Sequence, residues 1–428
     1  MPSLTHNTPA LRFPGYTGVW EQQKFKDTFT MMQNNTLSRA DLNNESGNAY
    51  DIHYGDILTI FNEYLDITKQ KLPYINANAS FNTKKYSQSA LQNGDVIMAD
   101  TAEDTTVGKC VEITGVSDDT PVFAGLHTIP LRSSHNFGPG YLAYYLNSAA
   151  YHDQLYPFIQ GIKVDSIGKS ALQMTTIMFP SSYDEQKQIG SFFNHLDGLI
   201  NLHQRQTQKL TELKKGLLQK IFSREVRFKQ DDGSDYPKWE KDILDNVGTF
   251  IKGAPLSKND ISENGKPFIL YGELYTTYNE ITKHVIRRTK TDVADRYYSI
   301  AGDVVLPTSG ETPDEISTAT CVMTDGVILA GDLLIYRTID NIDGRMMSYI
   351  INHQINNDIS RIAQGKSVVH IQAKELGKIS FEYPSLAEQQ KIADFFSKLD
   401  DLIHLHEQYT MKLTHLKKGL LQKMFPQD

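Results

Sequence analysis

Apolar residues recur with a helical period over two long stretches of this 428-residue chain. In the first, Ile189, Leu196, Leu210 and Leu217 fall on one seven-residue series, with His203 at the remaining place. In the second, Ile392, Leu399, Leu413 and Leu420 fall on the matching series around His406. Phe192, Phe193, Leu199, Ile200, Leu213 and Ile221 widen the first stripe. A stripe of that width can cover more than one neighbouring helix. Neither stretch, Glu185–Phe222 or Glu388–Phe425, holds a proline. Each therefore predicts one helix of about 57 Å at 1.5 Å per residue. The two align without a gap at an offset of 203 residues, and 24 of 38 positions are identical.

The shorter patterns between these helices read as two heads of one design. Arg-Phe, a turn-rich stretch and a tryptophan precede each head, as Leu11–Trp20 and Val226–Trp239. Polar segments follow at 38–48 and 257–265, then short apolar runs at Asp56–Phe61 and Pro267–Tyr271. Gly94-Asp95-Val96-Ile97 matches Gly302-Asp303-Val304-Val305 as a turn feeding a strand. Lys109-Cys110-Val111 and Thr320-Cys321-Val322 read as later strands, and Tyr141–Tyr151 and Met346–Asn356 as helices. Pro180 and Pro384 each close a strand-like run just before a long helix. The expected fold class is α+β: two globular mixed α/β domains separated by two long antiparallel α-helices, with a pseudo-twofold internal repeat. The boundaries predicted are 1–180 for the first head, 181–222 for the first helix, 223–384 for the second head and 385–428 for the second helix.

Charge refines that arrangement. Each long helix is acidic near its start and basic near its end, which suits the helix dipole and an antiparallel partner. In a symmetric antiparallel pair the midpoints cross, so His203 and His406 are expected near each other as a polar layer that fixes register. The chain carries a net charge of −8, and each head about −5 by count. That counts against a protein that coats nucleic acid by charge alone. Two cysteines, Cys110 and Cys321, offer no disulfide framework and suit a reducing cytosol. There is no apolar run long enough to span a membrane and no signal core at the start, so a cytoplasmic location is expected.

Catalytic motifs do not emerge. Gly168-Lys169-Ser170 and Gly365-Lys366-Ser367 lack the upstream glycine of a phosphate loop, because Lys163 and Ser360 stand there. There is no dinucleotide fingerprint, no Asp/Asn-Pro-Pro-Tyr stacking motif of an amino-methyltransferase and no nucleophile elbow. His404 and His406 have no cysteine or carboxylate framework for zinc. The chain is expected to be non-catalytic and to hold no metal.

Three signatures in order carry a family resemblance: LRFPGYTGVW near the start, E-Q-x-x-I-x-x-F-F-x-x-L-D opening both helices, and L-K-K-G-L-L-Q-K-[IM]-F closing both. Across its length the chain resembles the specificity subunit of type I restriction–modification systems. The resemblance implies that each head is a target recognition domain reading one half of a bipartite site on double-stranded DNA. It implies that the helices set the spacing and dock two modification subunits. Those subunits would carry S-adenosylmethionine, with restriction subunits joining the full complex and no cofactor in this chain. A non-DNA, tandem-domain coiled-coil adaptor is the alternative. Base reading needs a few polar side chains on loops. Candidates are Thr101, Thr105, Thr106, Lys109, Gln160 and Lys163 in the first head, and Thr308, Ser309, Arg337, Arg345 and Lys366 in the second.

Overall fold

The computed structural model describes residues 7–426 apart from 118, 162, 366 and 367. The chain divides into two compact units, 1–205 with 407–428, and 206–406. The predicted boundaries followed the chain, whereas compactness cuts each long helix near its middle. The helices run Tyr183–Phe222 and Leu386–Met424, 40 and 39 residues. Each unit therefore holds one head, half of its own helix and half of the other.

The sheet at the centre of each head has the same five-strand order. In the first it is Phe29–Met31, Thr128–Ser133, Val96–Ala99, Cys110–Thr114 and Tyr64–Asp66. In the second it is Gly248–Lys252, Leu333–Thr338, Asp303–Pro307, Thr320–Val322 and Ile281–Thr282. The first four strands pair antiparallel and the fifth pairs parallel in both heads. Gly94 and Gly302, at φ 89° and 101°, turn the chain into the central strand, where a side chain would be strained. The aspartate after each is buried and holds an arginine from the neighbouring strand: Asp95 with Arg132, and Asp303 with Arg337. The expected run Tyr141–Tyr151 is two helices, Tyr141–Leu146 and Ala149–His152. Asn147 lies at the break, and its side-chain amide pairs with the backbone of Cys110 as that of Asn352 pairs with Ala319 in the second head. In the second head the expected run Met346–Asn356 likewise spans two helices, Gly344–His353 and the start of Asn356–Ile362.

Helix halves pack antiparallel inside each unit. In the first, Phe193 stacks on Phe425, Asp197 pairs with Lys417 and the His203 ring stacks on Tyr409. In the second, Lys214 pairs with Asp400 and, further along, Arg227 with Glu388. The core of the first unit joins Tyr141–Leu146 of the head to Ile189, Phe193 and Leu196 of one helix and Met424 and Phe425 of the other. Trp20 is buried there, edge-on to Tyr141 and Phe425. The second unit repeats this with Tyr349, Ile392, Phe396, Leu218 and Ile221. No helix among the described residues is long and apolar enough to cross a membrane.

Candidate nucleic-acid interface

One short motif organises the outer part of both heads. Tyr54-Gly55-Asp56-Ile57 and Tyr271-Gly272-Glu273-Leu274 each follow a strand and begin a short helix. The paired apolar runs expected from sequence are thus out of step. Asp56–Phe61 lies in a helix and Pro267–Tyr271 in a strand and the turn after it, since periodicity over five residues cannot separate the two. The carboxylate of the motif is buried in both heads, and each holds an arginine whose side chain is half exposed: Asp56 holds Arg39 and Glu273 holds Arg287. Facing the motif is a second shared feature, a Ser-x-x-Asp capping box at Ser38–Asp41 and Ser257–Asp260. Its reciprocal hydrogen bonds fix the loop that bears Arg39 in one head and Lys258 in the other.

In the second head these parts enclose a cleft of about 870 Å³. Lys258, Asn259, Tyr271, Tyr275 and Arg287 line it, and Gly331 and Asp332 close one side. The Asp332 carbonyl accepts from the Thr308 amide at 2.7 Å, which ties the cleft to the segment leading into buried Ser309. The first head has the corresponding run. Tyr54 meets the His127 ring edge-on, and His127 lies 3.3 Å from both Asp100 and Thr101. Burial lowers the pKa of His53, so this imidazole, which accepts from the Gly55 amide, stays neutral.

The candidate residues divide between this surface and the scaffold. Thr101 lies on a two-stranded ribbon with Asp165–Ser166, and Gln160 pairs back to Ser166, so Thr101 and Gln160 come together, with exposed Lys163 in the segment between Gln160 and Ser166. Thr105 and Thr106 are exposed on the loop beyond, where Thr106 ties to Asp104. Thr308 and Ser309 sit at the matching ribbon, and Ser309 meets His370 at 2.9 Å. Lys366 lies outside the described residues. Lys109 points elsewhere: its amine donates to the Leu58 carbonyl, and burial lowers its pKa. Arg337 makes a two-pronged pair with Asp303 inside the fold, and Arg345 is bound to Asp343 and Asp394. Both guanidiniums are engaged by carboxylates of the scaffold rather than presented from a loop. The sequence candidates do not include Arg39, Tyr54 and His127, or Lys258, Tyr271 and Arg287, which the structure brings to this surface. The repeated Tyr-Gly-acid-aliphatic motif was the signal available for them.

The heads are joined to the helices by a duplicated charge cluster. Lys417 lies between Glu63 and Asp197, with Tyr144 donating to Asp197. Lys214 lies between Glu280 and Asp400, with Tyr349 donating to Asp400. Burial alone would lower each lysine pKa, but the two carboxylates outweigh it and keep the amine charged. Arg12 with Glu185 and Arg227 with Glu388 form a second duplicated tie. The long helices also leave apolar residues uncovered at matching positions: Leu199 and Leu402, Leu202 and Leu405, Leu213 and Leu416.

Residues 19–212 and 236–415 each match the family described as the type I restriction modification DNA specificity domain. The chain belongs to that family. It is a specificity subunit of a type I restriction–modification system, with two target recognition domains. This excludes the adaptor alternative. The putative type I restriction enzyme MjaX specificity subunit of Methanocaldococcus jannaschii is 25% identical over 420 residues, covering 94% of this chain and 92% of that one. The MjaVIII specificity subunit of the same organism is 21% identical over 285 residues, covering 61% and 64%. A crystal structure of the S subunit from M. genitalium has the same fold, with a TM-score of 0.64, 15% identity and coverage of 98% and 100%. In this specificity subunit the family match recurs once per head, as do the motif, the capping box and the lysine cluster.

Proposed function

We propose that each target recognition domain reads one half of a bipartite DNA site through the surface built on its Tyr-Gly-acid motif. The observation that carries this reading is the duplicated frame under unlike side chains. The same sheet, capping box and buried carboxylate recur, while the exposed residues differ: Arg39 and His127 in one head, Lys258, Tyr275 and Arg287 in the other. Two readers on one frame suit a target with two different halves. The acidic balance of the chain leaves most phosphate contact, which dominates affinity, to basic partners.

The uncovered leucines support docking of partner subunits. Leu199, Leu202 and Leu416 belong to the first unit, and Leu402, Leu405 and Leu213 to the second. Two matching sets of exposed leucines suit two copies of one partner, since exposed apolar surface marks protein contacts. The partners in this reading are methyltransferase subunits that bring S-adenosylmethionine, with restriction subunits joining them in the cytoplasm. This chain supplies recognition and no catalytic group. The test is to map methylated adenines in a methylation-free host carrying the chain with its partner genes, before and after exchange of residues 223–384 for another family member's head. One half of the methylated sequence should change and the other remain. A change in both halves, or in neither, refutes independent reading.

A further inference from the structure

We infer that Arg39 and Arg287 are the specificity-determining arginines of the two heads, each reading a guanine edge while held by the buried carboxylate of its Tyr-Gly-acid motif. The inference rests on the proposed reading of DNA by each head and names the residues that do it.

Three observations converge. The first is spare donors. A guanidinium has five N–H groups in a planar fork. The described contacts of Arg287 use only Nε, on Glu273, and those of Arg39 use one Nη, on Asp56 at 2.7 Å. The other arginines of the first head are spent differently. Arg12 gives three donors to Glu185 and the Gly18 carbonyl, and Arg132 is clamped on Asp95 and the Ala90 carbonyl. Side-chain exposure follows the same division: 53% for Arg39 and 45% for Arg287, against 15% for Arg12 and 31% for Arg132.

The second is restraint. Asp56 and Glu273 are only 4% and 5% exposed, and the other oxygen of Glu273 accepts from the Leu270 amide at 3.3 Å. A carboxylate fixed in this way limits the rotamers of its arginine before any ligand arrives, so less freedom is lost on binding. The third is the setting. Arg287 borders the 870 Å³ cleft together with Lys258, Asn259, Tyr271 and Tyr275.

Charge then separates base from phosphate. Each arginine is neutralised by its own carboxylate, so the pair as a whole has little attraction for a phosphate. The directional N–H fork remains, and it matches the O6 and N7 acceptors that guanine shows in the major groove. The two heads reach this arrangement from opposite sides. Arg39 precedes its motif, on the capping-box loop, and Arg287 follows its motif, beside the strand Arg288–Thr289. In the second head the capping-box position matching Arg39 is Lys258. The acid is the shared anchor, and the arginine approaches it from a different element in each head.

The test uses the whole complex, this chain with its methyltransferase subunits, in a host without adenine methylation. Arg287→Ala should relax one guanine position in one half of the methylated sequence, with discrimination there falling about 10- to 100-fold. Arg39→Ala should do the same in the other half. Arg287→Lys keeps the charge beside Glu273 but loses the fork, and should relax the same position as the alanine variant. Uniform weakening at every site with an unchanged sequence would assign the arginines to phosphate or to the fold and overturn the inference. So would relaxation in both halves from one substitution. The exchange of residues 223–384 is run beside them. If that exchange alters one half while Arg287→Ala alters nothing, only the arginine assignment fails. If the exchange also alters nothing, the reading of DNA by separate heads fails with it.

Discussion

The two target recognition domains share their internal ties and differ in what they expose. Sheet order, the buried aspartate after a left-handed glycine, the capping box and the lysine cluster recur almost position for position. The outward side chains do not, and even the arginine beside the motif comes from a different segment. The ties to the helices restrict what may change. A residue inside a three-charge cluster cannot be replaced without stranding a buried charge. An exposed side chain such as Lys258 on its capped loop has no such restriction. Recognition can therefore vary while the placement of each head on its helix halves stays fixed.

The largest effect is expected from exchanging one head. Replacing residues 223–384 should convert one half of the methylated sequence completely and leave the other intact, as adenine mapping would show. A smaller effect separates the two lysine clusters. Lys417→Met leaves buried Asp197 and partly buried Glu63 without their shared cation, at a cost of about 3–5 kcal/mol. Lys214→Met should cost less, because Glu280 keeps His353 at 2.7 Å. Trp20 and Trp239 lie one in each unit. Denaturant melts followed by fluorescence in Trp239→Phe and Trp20→Phe backgrounds would therefore report each unit separately. Equal losses would break the asymmetry.

The heads should also answer pH differently. Burial pushes Asp51 and Glu112 of the first head up to about 7, and burial with repulsion from Glu63 takes Asp197 to about 6. A raised carboxyl pKa favours the protonated folded form. The first unit should thus gain stability as pH falls from about 7 toward the unfolded value near 4, by up to about 1.4 kcal/mol per pH unit for each titrating group. In the second unit burial would raise Glu280, but His353 and Lys214 bring it down to about 2. Its contribution is full above about 4.5 and is lost as pH falls toward 2. Asp400 is raised as its counterpart is. The same tryptophan variants melted at pH 7.5 and 5.5 should show the larger gain in the first unit, and equal gains would remove the difference.

The smallest effect concerns the helix midpoints. His203 stacks on Tyr409, whereas the position matching Tyr409 in the first helix is Gln206. The repeat is therefore unequal where its two units divide. His203→Leu should cost about 0.5–1.5 kcal/mol through the lost ring stack. We propose that replacing both His203 and His406 by leucine keeps the helices packed and loosens the spacer length accepted between half-sites. Methylated sites with a single spacer length in that double variant would refute a register role.

Much of the scaffold was legible in the chain. The helices were, because their repeat is long, gap-free and rich in apolar positions at one period, and so were the turns at Gly94 and Gly302. Short elements were not. Tyr141–Tyr151 breaks after Leu146, and Met346–Asn356 after His353, boundaries that the apolar pattern does not mark. The sequence candidates fall in different places in the structure. Thr101 with Gln160, and Thr308 with Ser309, fall on matching ribbons. Arg337 and Arg345 looked like free readers because a sequence does not show that Asp303, Asp343 and Asp394 will meet them.

By itself the sequence determined two divergent heads and two like helices, since those follow from periodicity and repetition along the chain, and its three signatures carried the family resemblance. Only the tertiary structure decided which arginines are spent on the fold and which keep donors for a ligand. That depends on which carboxylate lies within about 3 Å of each guanidinium, a distance set by residues as much as 173 positions away in the chain.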